Sequence, residues 1–182
     1  AALGTSLSQQ LVQNRAANLN EQTLLSALHA TIVAQGIRNE YQQALAEGRE
    51  PPPMTQALLA RMMPAGALLD KRGYAVADDS GRIVASLPLP ERLDGRRLDD
   101  VLSPSFITEA PINSQVMTPL VLASGEEAFV TMHDLNPYPG SLVVLQRKPD
   151  ILAAWRASVT RVSTLFIVTL LVLILLGCAV HW

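Results

Sequence analysis

Hydrophobic and polar positions follow three different rhythms along this chain. Between Thr5 and Gly48 there is no proline and the rhythm is helical. Leu25, Leu28 and Ile32, with Gln35 next in the series, fall at i, i+3, i+7 and i+10, while Leu24 and Leu45 widen the apolar side. The residues before them, Ser8–Gln22, are mostly polar and rich in Gln and Asn. One long helix, or two joined, is predicted. A polar base followed by an apolar side suits either a stalk that docks on a domain or an ordinary first helix. Gly36 costs such a helix about 1 kcal/mol relative to alanine and marks a bend or a close approach. Pro51, Pro52 and Pro53 end the unit, since ring-locked residues cannot continue an α-helix. Met54–Met63 then predicts a short helix closed by Pro64 and Gly66, its methionines filling gaps in a core.

From Tyr74 the rhythm shortens to two. Tyr74–Ala77 and Arg82–Ser86 are β-compatible runs on either side of Asp78-Asp79-Ser80-Gly81, which predicts a hairpin whose type I turn ends in a left-handed glycine. Pro88 and Pro90 stop the second strand. Leu93–Leu102 turns through Asp94-Gly95 into a short helix with Leu98, Val101 and Leu102 on one face, and Ser103-Pro104 starts a further helical turn to Glu109. Val116–Leu122 and Glu127–Leu135 read as strands joined through Ser124-Gly125, with Pro119 restricting the first to a sheet edge or a bulge. After the loop Asn136–Gly140, Ser141–Gln146 is the last strand.

Beyond that strand the periodicity gives way to uniform hydrophobicity. Val162–Val180 carries no charged residue and, as a helix, spans about 28 Å, roughly the hydrocarbon thickness of a bilayer. Arg161 precedes it, Trp155 lies upstream, and His181 and Trp182 follow. A transmembrane helix is the expectation for 162–182. Pro149-Asp150 breaks the last strand, and Asp150 is expected to N-cap a helix running from Ile151 to the chain end. That helix would be about 48 Å long, so its first part stands clear of the bilayer. Leu152, Trp155, Val159 and Val162 open a stripe of alternating three- and four-residue spacing that can pack helices as a coiled coil.

Of the 182 residues, about 150 precede the helix expected from Ile151, enough for one domain with a hydrophobic core. The formal charge of −2 and the lack of a Lys/Arg cluster give no basis for nucleic-acid binding. Cys178, the single cysteine, sits in the apolar run, so neither an internal disulfide nor a Cys-based metal site is available. His29, His133 and His181 are far apart, with no partner at zinc-ligand spacing. Asp78/Asp79 and Asp99/Asp100 are neighbours whose side chains point apart, which suits turns and caps rather than an acid–base pair, and Glu126-Glu127 suits a solvated turn. No phosphate-cradling glycine loop and no Gly-x-Ser-x-Gly elbow occurs. No cofactor, metal or catalytic group is expected. Ala1–Leu7 is too short for a signal sequence or a span. It suits the trailing end of an upstream membrane helix in a longer protein, or the processed start of a tail-anchored one.

The run YAVADDSGRIVASLP from Tyr74, followed by a Gly-containing turn and RRLDDVL, resembles the opening of a PAS-type sensor domain. In that pattern an Asp-x-x-Gly turn joins the first two strands, short helices cross over, and three antiparallel strands finish the sheet. The close, LVVLQ, a Trp-Arg helix and LLVLILLGCAVHW, is similar to the membrane-proximal end of extracytoplasmic sensor regions in PleC-type sensor histidine kinases. The resemblance covers about Tyr74–Trp182, together with the long leading helix typical of extracytoplasmic PAS-like sensors. It implies an α+β fold, a PAS-like antiparallel sheet with a long N-terminal helix, followed by a C-terminal transmembrane helix. The chain then divides into a stalk or docking helix (1–50), a sensor domain (51–149), a juxtamembrane signalling helix (150–161) and the membrane helix (162–182). In such kinases the sensor domain is periplasmic, anchored in the inner (cytoplasmic) membrane, and the catalytic domains are cytoplasmic. No phospho-acceptor or ATP-binding motif is present here, so this chain would not itself be the enzyme, and the first membrane helix is missing or reduced to Ala1–Leu7.

The function expected on these grounds is detection of a small-molecule or protein stimulus and its transmission through Asp150, Leu152, Trp155, Val159 and Val162 across the membrane. A homodimer is expected, with Leu25, Leu28 and Ile32 and the Leu152–Val162 stripe as contacts. The sheet face opposite the leading helix is the expected place for a ligand, and Tyr74, Met117, Met132 and His133 are the least generic strand residues near it. Met132 and His133 are neighbours on one strand, so at most one lines a given pocket, and core packing is the plainer role for each. A different class of reading also stands. Arg147, Lys148, Arg156 and Arg161 lie on the domain side of the apolar run, as the positive-inside rule predicts for a tail-anchored cytoplasmic adaptor.

Overall fold

The computed structural model describes residues 2–68, 71–88, 93–102, 112–153, 160, 164, 167–169 and 171–172. Helix α1 spans Ala2–Ala46 and runs through Gly36. A Cβ on Gly36 would stand 3.7 Å from the Met62 sulfur, an ordinary van der Waals contact, so neither a bend nor a forced close approach explains that glycine. Helix α2 is Gln56–Arg61, N-capped by Thr55, whose hydroxyl accepts from the Leu58 N–H at 3.2 Å. Leu58 and Leu59 bury its inner side.

Strands β1 (Gly73–Asp78) and β2 (Ile83–Leu87) form the expected hairpin. Gly81 closes the turn at φ +76°, a backbone conformation that L side chains rarely adopt. Asp78 Oδ1 accepts from the Ser80 hydroxyl at 2.6 Å and from the Ser80 and Arg82 N–H groups, each at 2.9 Å. These bonds, the Ser80 hydroxyl first, hold the Asp78 carboxyl below its ordinary range. A one-turn helix α3 (Leu98–Val101) follows, then β3 (Thr118–Val121), β4 (Glu127–Asp134) and β5 (Gly140–Arg147).

All five strands join one antiparallel sheet in the order β2-β1-β5-β4-β3. The last strand therefore lies at its centre. Strand β3 is an edge, where Pro119 need not donate to the ladder. Gly140 starts β5 so close to β1 that a Cβ there would meet the Ala77 carbonyl oxygen at 2.1 Å.

Strand parity divides the core in two. Tyr74, Val76, Ala85, Leu142 and Val144 face α1 and α2, packing on Ala27, Ala30, Val33, Ala34, Ile37, Tyr41 and Leu59. The Tyr41 ring meets Tyr138 edge-on, with centroids 5.1 Å apart. Ala75, Ala77, Ile83, Val130, Met132 and Val143 face the other way and pack on Leu98 and Leu102.

The docking side of α1 differs from the one its leucines outline. Leu24, Leu25, Leu28, Ile32 and Leu45 are exposed, Leu28 at 55%, while Ala27, Ala30, Val33, Ala34, Ile37 and Ala44 are buried. Small side chains let the helix backbone approach the sheet and bury its own surface. A hydropathy pattern weights each leucine above each alanine and so marks the wrong side.

The end of the sheet brings a second correction. Residues 148–153 are helical directly after β5, and this segment is α4. Pro149 therefore lies in the first turn, where its missing N–H costs no helix bond, and Asp150 is inside the helix rather than its cap. Residues 160, 164, 167–169 and 171–172 are helical as well. Among the described residues no helix is long and apolar enough to cross a membrane. Most of the expected span 162–182, including Val162, lies outside the described residues, as do Trp155, Val159 and the turn expected at 103–109.

Candidate functional site

On the sheet face away from α1, where the chain enters and leaves the sheet, lies a cavity of about 640 Å³. That volume is in the range of small-molecule sites. Parity builds its floor: Leu145 and Arg147 follow Val143 on the same side of β5, and Gly73 pairs with Leu145. A Cβ on Gly73 would press on Leu145 at 3.3 Å, so the absence of a side chain there keeps this corner open. Helix α3 contributes Asp100 and Val101, and the β3–β4 turn contributes Leu122, Ser124 and Glu126. Leu93 and Arg96 come from the connection after β2, and Lys71 comes from the segment before β1. Apolar walls thus carry three cations, Lys71, Arg96 and Arg147, against two carboxylates, Asp100 and Glu126.

Two of those cations meet at Asp150. Arg147 Nε lies 3.0 Å from Asp150 Oδ2, and Lys71 Nζ lies 3.3 Å from Oδ1. Arg147 Nη1 reaches Glu126 Oε2 at 3.5 Å. The Asp150 side chain is only 11% exposed, whereas Lys71 is 73% exposed. With Lys71 and Glu126 this open to water, the Lys71–Asp150 and Arg147–Glu126 pairs each contribute about 1 kcal/mol or less. Their importance is connective, since they tie the entry to β1, the end of β5 and the β3–β4 turn to the first turn of α4. Arg96 and Asp100 form no ion pair among the described residues.

No family model matches this chain, and no curated protein does.

None of the four residues singled out by sequence lines the cavity, and Met117, expected within a strand, lies just before β3. Tyr74 and Met117 are buried on the α1 side. The Tyr74 hydroxyl donates to the Ala67 carbonyl at 3.2 Å, and burial pushes the phenol up to about 12. His133 is buried on that side too, opposite Leu142, and its Nε2 has no hydrogen-bond partner among the described residues. Burial first, and the Arg38 charge second, lower its pKa. Met132 faces the cavity's side but packs in the core. Of the transmission residues, Asp150 joins the ionic network and Leu152 is half-buried. Sequence reasoning missed Lys71, Arg96, Asp100 and Glu126 because they sit in connections and a single helical turn, where no periodicity assigns a face. Arg147 was readable, since it shares parity with Leu145 and stands three residues before Asp150.

A second polar cluster stands behind the cavity, under α1. Arg72, next to Lys71 in sequence, is buried and points the other way. Its Nη1 lies 2.9 Å from His29 Nδ1, and its Nη2 donates to Gln22 Oε1 at 3.0 Å. A guanidinium only donates, so Nδ1 accepts and the imidazole is neutral with its proton on Nε2. Burial, then the Arg72 charge, lowers the His29 pKa. The Ser26 hydroxyl donates to Gln146 Oε1 at 2.7 Å. Among the described residues no group of three His, Cys, Asp or Glu side chains could hold a metal ion.

Proposed function

We propose that this chain is the extracytoplasmic sensory module of a membrane-bound sensor histidine kinase of a two-component system. In this reading the sheet and α1 form a PAS-like periplasmic domain, and the 162–182 run anchors it in the inner membrane. The observation that carries the reading is the ionic link between the cavity and α4. Residues that line the cavity hold Asp150 in the first turn of the helix leading toward the apolar run. A ligand that favours one arrangement of that link shifts the population of helix positions by its differential affinity.

Further support comes from the element order. An Asp-x-x-Gly hairpin, a crossover containing α3, and three antiparallel strands follow the PAS-type pattern in sequence. Ile167, Val168, Leu171 and Val172 are helical, apolar and exposed, as lipid-facing residues would be. The exposed stripe Leu24, Leu25, Leu28 and Ile32 is free to meet a second copy in a homodimer.

The test is a Gly-Ser-Gly-Ser insertion between Gln146 and Ile151 in the intact receptor. A rod is silenced by it, and autophosphorylation stops following the stimulus. A mere tether works on unchanged, and that outcome sinks the proposal. The adaptor reading keeps one favourable observation, the cations Arg147, Lys148, Arg156 and Arg161 on the domain side. Labelling of Ser124→Cys by a membrane-impermeant maleimide in spheroplasts separates the two, because only a periplasmic domain reacts.

A further inference from the structure

We propose that the cavity takes an amphipathic organic carboxylate, and that this carboxylate replaces Asp150 on Lys71 and Arg147 and so releases the first turn of α4. The inference rests on the sensor reading above and gives its ligand a chemical class.

The receptor for a carboxylate is already built and occupied from within. Lys71 and Arg147 come from different segments, both line the cavity, and each takes one oxygen of Asp150. A carboxylate entering from the cavity side competes for the same two donors. Arg96, which forms no ion pair among the described residues, lines the same cavity and offers a planar donor fork. Val101, Leu122 and Leu145 supply apolar wall for a short alkyl chain. A cationic ligand is served less well. Glu126 is engaged with Arg147, which leaves Asp100 as the one carboxylate of the lining without an ion pair among the described residues.

Exchange has a mechanical consequence. Asp150 is 11% exposed, and without its two cations it becomes an uncompensated charge away from water. Its return to solvent moves the turn that carries it. Ligand binding and Asp150 seating are therefore reciprocally coupled, and each weakens the other.

The experiment is calorimetric titration of the full chain in lipid nanodiscs with pentanoate, pentanamide and pentylammonium, on the unmodified protein and on Asp150→Asn, Lys71→Gln and Val101→Trp. Pentanoate is expected to bind about ten-fold or more tighter than its neutral and cationic analogues, which is the scale of one charge-assisted contact. Asp150→Asn is expected to tighten pentanoate several-fold and leave pentanamide unchanged, because it removes the internal competitor. Lys71→Gln, at a well-exposed position the fold tolerates, is expected to weaken pentanoate alone. The proposal is overturned if pentanoate fails to bind, if pentylammonium binds as tightly, or if neither polar substitution changes the pentanoate affinity. Equal binding of pentanoate and pentanamide, abolished by Val101→Trp, ends the exchange but leaves the sensor cavity standing. No binding by any of the three probes, with Val101→Trp leaving receptor output unchanged, ends both.

Discussion

Ser26 and Gln146 are fully buried and hold one another across α1 and β5. Ser26→Ala leaves the Gln146 amide without its donor in a place water does not reach. The expected cost is about 1–3 kcal/mol, read as a lower urea midpoint with unchanged slope. Two histidines give the fold an acid-sensitive side. His29, beside Arg72, and His133, near Arg38, both have folded pKa values below the ordinary 6.5. On acidification the unfolded chain takes up the protons first. Their contribution to stability is therefore complete above pH 6.5 and is lost as the pH falls below it, toward the folded values. The melting temperature is expected to fall between about pH 7 and pH 5, and His29→Gln with His133→Gln to flatten that fall. A wild-type curve already flat over this window contradicts the assignment.

Helix α1 has two apolar sides with different work. The small-residue side carries the docking, so Ala30→Leu overpacks the interface with the sheet and is expected to cost about 1–3 kcal/mol. Leu28→Ala, on the exposed side, is expected to change stability by no more than about 0.5 kcal/mol. Chemical denaturation of the two variants measures the contrast, and equal losses would mean that the leucine side docks after all. The same helix shows how far element-level reading reaches. Its extent to within a few residues, the Asp78–Gly81 hairpin and the restriction of β3 to an edge or a bulge were legible, because Pro, Gly and Asp act locally on the backbone. Its docking side was not, because packing distance depends on what the helix meets.

At the scale of the whole molecule, the sheet order makes β5 both the central strand and the one that delivers the chain to α4. An event on the cavity face is thereby adjacent to the exit from the domain. The stripe Leu24, Leu25, Leu28 and Ile32 makes a further expectation concrete. In the proposed homodimer, Leu28→Cys is expected to form an intermolecular disulfide in oxidised membranes, while a cysteine at the equally exposed Val121 on the β3 edge does not. Crosslinking at both positions, or at neither, removes the stripe as the contact. The strand residues proposed from sequence illustrate the limit at this scale. Tyr74, Met117, Met132 and His133 carry a phenol, a thioether or an imidazole, and such side chains in a core can be purely structural. Three of them face α1, and none lines the cavity.

By itself the sequence determined the local grammar of this protein: the order of its helices and strands up to β5, which turn demands glycine, and that a long uncharged apolar run lies near its end. These follow from backbone sterics and hydropathy within a few residues. Only the tertiary structure decided which side of α1 meets the sheet and that β5 threads between β1 and β4. It also brought Lys71, Arg147 and Asp150 together across 79 positions of chain. Charges in connections carry no period, and their meeting depends on strand pairing between residues far apart in sequence.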